Sequence, residues 1–170
     1  MIGLDLSCNW LEGTIPSNSS LFLLRHLQRL NLAFNDFESS LISSGFGQFA
    51  RLRYLNLSYS FFGQVPIDLS HLSQLASLDL SGSDVSLQTS VVKRLFQNLT
   101  KLRELHLDSV DMSSISLSSF MNLSSSLTSL TLENCKLCGR LLDTIFRLPN
   151  LLKLSLYDKS ELMGFFPMEN

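Results

Sequence analysis

The sequence has little charge and few cysteines. Charged residues make up 16% of the chain, below the usual quarter, and the formal net charge is −2. No basic excess favours nucleic acid binding, and no acidic tail is present. Cys8, Cys135 and Cys138 are too few, and odd in number, for a disulfide framework. The Cys135-x-x-Cys138 pair provides only two of the four ligands of a structural zinc site, so we interpret both as ordinary structural positions.

Long apolar runs and catalytic motifs are also missing. The longest apolar runs, such as Leu21–Leu24, are far shorter than the roughly eighteen residues of a membrane span. Met1 is not followed by the basic and apolar regions of a secretory signal, so any export signal or anchor would be encoded outside this segment. No H-E-x-x-H motif, phosphate-cradling glycine loop or Ser–His–acid order occurs. We therefore expect no enzyme, no cofactor and no metal ion.

The dominant signal is an internal repeat. A Leu-x-Leu pattern recurs at spacings of 26, 25, 23, 27, 25 and 24 residues, and its first leucines are Leu4, Leu30, Leu55, Leu78, Leu105, Leu130 and Leu154. These spacings fall within the window of leucine-rich repeats. No single repeat can bury its leucines alone, so neighbouring repeats stack and share one core. We expect an α/β-type repeat solenoid, with a parallel β-sheet on the concave face and irregular, short helical or second-strand segments on the convex side.

A second regularity lies five residues after each first leucine. A polar side chain at this position can bond backbone groups of the adjacent turn that would otherwise stay unpaired. The position is occupied by Asn9, Asn35, Ser60, Ser83, Val110, Cys135 and Lys159. Asparagine and cysteine are the expected residue types, whereas Val110 cannot make the bond. We expect this ladder to be irregular in the fourth and fifth repeats.

The segments that follow the strands carry a family resemblance. Residues 11–16 read Leu-Glu-Gly-Thr-Ile-Pro, and similar L-x-G-x-[IVF]-P tails occur at residues 62–66 and 162–167. These tails resemble the plant-specific leucine-rich repeat, in which the segment forms a second short strand. The stretch from Leu4 to Pro16, together with Phe146–Leu151, resembles plant disease-resistance receptor-like proteins.

The resemblance implies a function and a location. Members of that family are secreted to the plasma membrane and carry an N-terminal cysteine-paired cap, many repeats and one membrane helix. We expect residues 1–170 to be a single solenoid segment of about seven repeats without terminal caps. Its role would be ligand recognition at the extracellular face, in defence signalling, with a protein or peptide ligand and a co-receptor as partners. The alternatives are a soluble secreted inhibitor similar to polygalacturonase inhibitors and an intracellular repeat adaptor.

Candidate binding residues follow from the predicted concave face, where solenoids usually bind. Residues that alternate with the leucines should point outward, as should Ala33 and Ser58 after the second leucine. Two patches are predicted: an aromatic one and an acidic one, which would favour cationic groups. They consist of Phe34, Tyr54 and Tyr59, and of Asp79, Glu104, His106, Asp108 and Glu133. A metal or general-base reading of Glu104, His106 and Asp108 is disfavoured, because such a face is open to water.

The sequence contains four candidate N-glycosylation sites (sequons). The N-x-[ST] pattern occurs at Asn18, Asn56, Asn98 and Asn122. The repeat consensus itself generates such triplets, so the pattern alone is weak. In an extracellular setting we expect N-glycosylation, with only Asn56 placed on the concave strands.

Overall fold

The computed structural model describes residues 1–37, 41–82, 84–140, 143–157 and 162–163. Eleven strands are present in these ranges, most of them three residues long. In chain order they are β1 (Gly3–Asp5), β2 (Arg29–Asn31), β3 (Tyr54–Asn56), β4 (Phe62–Gln64), β5 (Ser77–Asp79), β6 (Asp84–Ser86), β7 (Glu104–His106), β8 (Ser129–Thr131), β9 (Gly139–Arg140), β10 (Lys153–Ser155) and β11 (Leu162–Met163).

Seven of these strands form one parallel sheet. Its order is β1-β2-β3-β5-β7-β8-β10, and the first leucine of each repeat pairs with that of its neighbour, as Leu30 pairs with Leu55. This confirms the predicted repeat register in all seven Leu-x-Leu segments. The central leucine of each strand points into the core, away from the side of its two neighbours, because successive side chains of a strand face opposite ways. Leu30, Leu55 and Leu130 have no solvent exposure.

The convex side consists of short helices, as the sequence predicts. Four are 3₁₀ helices, at Ser20–Leu23, Ser44–Gln48, Ile67–His71 and Leu117–Asn122. The fourth repeat instead has a ten-residue α-helix, α1 (Thr89–Asn98), and the sixth a short one, α2 (Asp143–Phe146). The 27-residue spacing between Leu78 and Leu105 is the longest in the chain and leaves room for this extra length. Helix α1 buries Val91, Val92, Leu95 and Phe96 on one face.

A second set of short strands follows the strands of the main sheet, but these strands do not always coincide with the L-x-G-x-[IVF]-P tails. Strand β4, within the tail of the third repeat, pairs in parallel with β6, and β9 pairs with β11. The tail of the first repeat makes only a single bridge, between Glu12 and Asp36. Strand β6 lacks the Gly and Pro of the motif. Second strands form there because the pairing uses backbone groups, as when Val65 N–H donates to the Ser86 carbonyl at 3.1 Å.

The main strands end in a left-handed turn. The fourth residue after the first leucine has φ between 54° and 66° in six repeats: Cys8, Phe34, Tyr59, Gly82, Ser109 and Asn134. Non-glycine residues rarely adopt this conformation. It is held by hydrogen bonds to the next repeat, such as Tyr59 N–H to the Ser81 carbonyl at 2.9 Å. Because the chain turns here, Ala33 and Ser58 are buried rather than outward, contrary to the sequence prediction.

The polar ladder is present where the sequence provides suitable residues. Asn35 accepts hydrogen bonds from the backbone N–H groups of Asn9 and Leu11, and its amide donates to the carbonyls of Leu6 and Leu32. The Ser60 hydroxyl donates to the Leu32 carbonyl at 2.7 Å, and the Cys135 thiol donates to the Leu107 carbonyl at 2.9 Å. Val110 is fully buried at the equivalent position and has no polar atom to offer. Ser83 and Lys159 lie outside the described residues.

Candidate ligand-binding surface

The last residue of the concave strand has a structural role in four repeats. The side chains of Asp5, Asn31, Asn56 and Asp79 each accept a hydrogen bond from the backbone N–H two residues later, at 2.9 to 3.1 Å. Such turns stabilise the end of the strand. The bond to Ser7 N–H is the main reason why the pKa of Asp5 is lowered. Asp79, which the sequence assigns to the acidic patch, is therefore half-buried and engaged in a turn.

The predicted aromatic patch separates into two parts. Phe34 and Tyr59 stack in parallel at the strand ends, with ring centroids 4.9 Å apart. They are 56% and 52% exposed, which is unusual for large aromatic side chains. The Tyr59 ring lies directly against Gly82, where any side chain would collide with it. Tyr54 belongs to the opposite end of its strand and is not part of this stack.

Tyr54 is held within the sheet by its neighbours. The Arg29 guanidinium lies 4.9 Å from the centre of the Tyr54 ring, a cation–π arrangement. The Asn56 amide donates to the Tyr54 hydroxyl at 3.4 Å. Arg29 and Tyr54 border a cleft of about 210 Å³ that also includes Asp5 and Asn31. The result is a mixed polar and aromatic surface across the first three strands.

The acidic patch is a hydrogen-bonded network rather than a set of independent charges. The Asp108 carboxylate accepts hydrogen bonds from the Thr131 hydroxyl at 2.8 Å and from the Glu133 backbone N–H at 2.8 Å. The Glu133 carboxylate in turn accepts from the Ser155 hydroxyl. Thr131, which the sequence analysis did not select, joins these residues. Its signal in the sequence is only that it occupies the same strand position as His106.

The network also orients the ring of His106. Its Nδ1 lies 3.0 Å from the Thr131 hydroxyl, whose single hydrogen is already donated to Asp108. Nδ1 therefore carries a hydrogen and donates it to the Thr131 oxygen. Glu104 is exposed at the start of the same strand, and no group of three His, Cys, Asp or Glu side chains in the described part of the chain is arranged to hold a metal ion.

Comparison with known proteins agrees with this architecture. The family model described as Leucine Rich Repeat matches residues 26–49 and 126–148. Receptor-like protein 6 of Arabidopsis thaliana is 44% identical over 97% of this chain, and the Receptor-like protein Cf-9 homolog of Solanum lycopersicum is 46% identical over 98%. These repeats belong to the plant leucine-rich-repeat receptor-like proteins. The chain spans 17% and 20%, respectively, of the lengths of these two relatives.

A solved structure supports the same assignment for the fold. The ectodomain of the Arabidopsis receptor kinase HAESA, crystallised with the peptide hormone IDA and the co-receptor SERK1, superposes with a TM-score of 0.82 at 30% identity. The match covers 98% of this chain and 27% of that one. In this chain one parallel sheet receives a strand from each of the seven repeats.

The sequon asparagines differ in their exposure. Asn18, Asn98 and Asn122 are exposed on connecting segments, whereas Asn56 is half-buried in β3. The Asn56 side-chain oxygen accepts from the Ser58 N–H at 2.9 Å and from its hydroxyl at 2.7 Å. Within the described ranges, no helix has the length and apolar character needed to cross a membrane.

Proposed function

We propose that this chain is part of the ligand-recognition ectodomain of a plant cell-surface receptor-like protein that acts in defence signalling. The observation that carries the proposal is the hydrogen-bonded network of His106, Asp108, Thr131 and Glu133 on the concave sheet. Groups held by neighbours need little ordering when a partner binds, and this preorganisation favours affinity. The similarity to named receptor-like proteins supports a receptor rather than an enzyme.

The ligand would be a peptide or protein that lies across the strands. In this arrangement each repeat contributes one or two side chains, with Glu104 and the network offering negative charge and hydrogen-bond acceptors. A cationic residue of the ligand would fit this region. Phe34 and Tyr59 would provide an exposed apolar surface near the second and third repeats, and aromatic side chains are frequent at binding hot spots.

Glu104→Lys tests this proposal better than a change at Asp108. Asp108 accepts hydrogen bonds from Thr131 and from the Glu133 backbone, so replacing it would damage the turn as well as the charge. Glu104 is exposed in β7, and reversing its charge leaves those bonds in place. Lys93→Glu on the exposed face of α1 is a control on the convex side.

The experiment uses the receptor that contains this segment, expressed in leaves and challenged with apoplastic fluid from infected plants. The readout is the concentration of fluid that gives a half-maximal oxidative burst. We expect Glu104→Lys to raise that concentration about tenfold, as for the loss of one charge-assisted contact, and Lys93→Glu to leave it unchanged. An equal response of the wild type and both variants would contradict recognition through this face. A shift with Lys93→Glu alone would assign recognition to the convex side.

A further inference from the structure

A basic cleft lies at the edge of the sheet, before the strands begin. It has a volume of about 390 Å³ and is lined by Arg53, Gln74, Ala76, Lys101, Arg103 and Ser126. Its size is within the range of small-ligand pockets. Arg53, Ala76 and Arg103 occupy the same position in three successive repeats, two residues before the first leucine. Two arginines thus flank an alanine, whose small side chain leaves the space between them open.

The repeat geometry sets the distance between the two arginines. Strands of a sheet are about 4.8 Å apart, so the backbones of Arg53 and Arg103, which precede strands two steps apart in the sheet, lie about 10 Å apart at this edge. Both residues are anchored by their backbone: the Arg53 carbonyl accepts from Ala76 N–H, and the Ala76 carbonyl accepts from Arg103 N–H, each at 2.8 Å. Two guanidinium groups can therefore converge on one anion between them.

The positive charge of the cleft is not paired with carboxylates of the described residues. In the described part of the molecule, none of Arg53, Lys101 and Arg103 forms a salt bridge. Lys101 donates to the neutral amide oxygen of Gln74 at 2.6 Å. All three cations are exposed to solvent. Three like charges around one cavity repel one another, and an anionic group bound between them would relieve that repulsion.

We propose that this cleft binds a carboxylate of an acidic peptide segment in the ligand of the receptor. The proposal rests on the function proposed above and extends it to a second contact. Guanidinium groups bind carboxylates through paired, charge-assisted hydrogen bonds. A peptide fits better than an acidic polysaccharide, because the concave face beside the cleft carries Glu104, Asp108 and Glu133. Those carboxylates repel a uniform polyanion, whereas a peptide can present an acidic residue to the cleft and a basic residue to the network.

The test measures binding of synthetic peptides to the full 170-residue chain by fluorescence anisotropy at low salt. The probe is a fluorescent peptide with one pair of glutamates and one pair of lysines, separated by glycines. A peptide of the same length with glutamine in place of glutamate, and an oligogalacturonate of matched negative charge, are the comparison probes. Arg53→Glu/Arg103→Glu reverses the charge of the two arginine positions that line the cleft. Lys93→Glu/Arg94→Glu makes the same change in net charge on the exposed face of α1.

We expect the cleft variant to bind the mixed-charge peptide about tenfold more weakly or worse, and the α1 variant to bind it like the wild type. The glutamine peptide should bind weakly to all three proteins. An equal loss of peptide affinity in both variants would show that only net charge matters, and it would overturn the proposed site. Tighter binding of the oligogalacturonate would overturn the peptide assignment. Circular dichroism of each variant establishes that it is folded.

Failure of the cleft and failure of the proposed function give different results. Glu104→Lys tests the concave face, and it should weaken the lysine-dependent part of peptide binding while the glutamate-dependent part remains. If Glu104→Lys blocks the response of the receptor in leaves but Arg53→Glu/Arg103→Glu does not, the recognition function stands and the cleft is wrong. If neither substitution changes that response while the cleft still binds the peptide, the recognition function is wrong.

Discussion

At the scale of single residues, this solenoid depends on side chains that replace backbone partners. Asn35 is the clearest case, because its amide bonds five backbone groups in two repeats. Burial of such groups without partners costs about 1–3 kcal/mol each. Ser60 and Cys135 occupy the same repeat position with a hydroxyl and a thiol, and a thiol is a weak hydrogen-bond donor. We therefore expect loss of the Asn35 side chain to be especially costly.

Asn35→Ala is expected to lower the free energy of unfolding by about 3 kcal/mol, because it leaves buried N–H and C=O groups unpaired. Asn9→Ala is the matched control, since Asn9 is exposed and its amide donates only to the nearby Ser7 carbonyl. Urea denaturation of the two variants gives the comparison. Equal losses for both would contradict the ladder as a source of stability.

The stability of the fold should depend on pH through Asp111. The Ser113 backbone N–H, then its hydroxyl and the Lys136 ammonium at 3.0 Å, lower the pKa of Asp111 from its ordinary 3.8 to about 2. A lowered pKa in the folded state means that the stabilisation is present above pH 3.8 and is lost as the pH falls toward 2. Because more than a third of the Asp111 side chain is exposed and the Lys136 side chain is 67% exposed, solvent screens the interaction and its contribution is small, about 0.5 kcal/mol.

The measurement is the difference in unfolding free energy between wild type and Asp111→Asn from pH 7 to pH 2. The difference should be constant at neutral pH and should shrink as the pH falls from 3.8 to about 2, the pKa of Asp111 in the folded state, where most of it is lost. Lys136→Met should reproduce only part of it, because the Ser113 N–H is the larger cause. A Lys136→Met effect as large as that of Asp111→Asn would show that the ion pair dominates instead.

The site residues were only partly predictable from the sequence. The alternation of the strands correctly predicts that Glu104 is exposed. It cannot reveal that Asp79 is used by a turn, or that Asp108 bonds Thr131, because both depend on where the strand ends. The sequence predicts one patch of Phe34, Tyr54 and Tyr59, yet the left-handed turn brings only Phe34 and Tyr59 together. The role of all these residues in binding stays a prediction.

At the scale of elements, short helices on the convex side set the packing between repeats. Phe22, Phe46 and Phe49 form one aromatic cluster between the first two of these helices, with ring centroids 5.4 to 6.5 Å apart. Gly45 lies against the Phe22 ring, so that a methyl group at this position would overlap the ring. The close approach of the two helices therefore requires glycine.

Gly45→Ala is expected to cost about 1–3 kcal/mol, the usual range for overpacking a well-filled core. Gly3→Ala is the control, since a methyl group there would meet only the Arg29 Cβ at 3.8 Å, an ordinary contact. Thermal unfolding of the two variants gives the comparison. Adding Phe22→Leu should restore part of the loss, so that the double variant is less destabilised than the sum of the single ones. Strict additivity would exclude the clash as the cause.

Only some of the secondary-structure elements can be predicted from the sequence. The seven concave strands are predicted by the leucine spacing, because a buried leucine every second residue leaves one possible register. The α-helical form of α1 and the second strands β6 and β9 are not predicted. They depend on how much chain connects two strands and on backbone pairing with a neighbouring repeat, and neither leaves a local pattern in the sequence.

At the scale of the whole molecule, the two faces of the solenoid differ in what they expose. The convex connections carry three exposed sequon asparagines, whereas Asn56 on the sheet is half-buried and its amide nitrogen donates to Tyr54. The amide nitrogen is the atom that accepts the glycan. A glycan on the concave strands would also obstruct the surface proposed for binding.

We expect N-glycans at Asn18, Asn98 and Asn122 and none at Asn56 when the chain is secreted from plant cells. Enzymatic deglycosylation in heavy-oxygen water, followed by peptide mass spectrometry, marks each occupied asparagine as a labelled aspartate. Gln substitution at the three exposed sites should remove all glycan mass. An occupied Asn56 would contradict the proposed concave binding surface.

The most direct measurement is hydroxyl-radical footprinting of a receptor ectodomain containing these repeats, with and without an active ligand fraction. Phe34, Tyr59 and His106 report on the concave side and strand ends, and Met121, which is 63% exposed, reports on the convex side. Recognition through the concave face predicts reduced oxidation of the first three side chains and unchanged oxidation of Met121. Protection of Met121 alone, or of none of these residues, would contradict it.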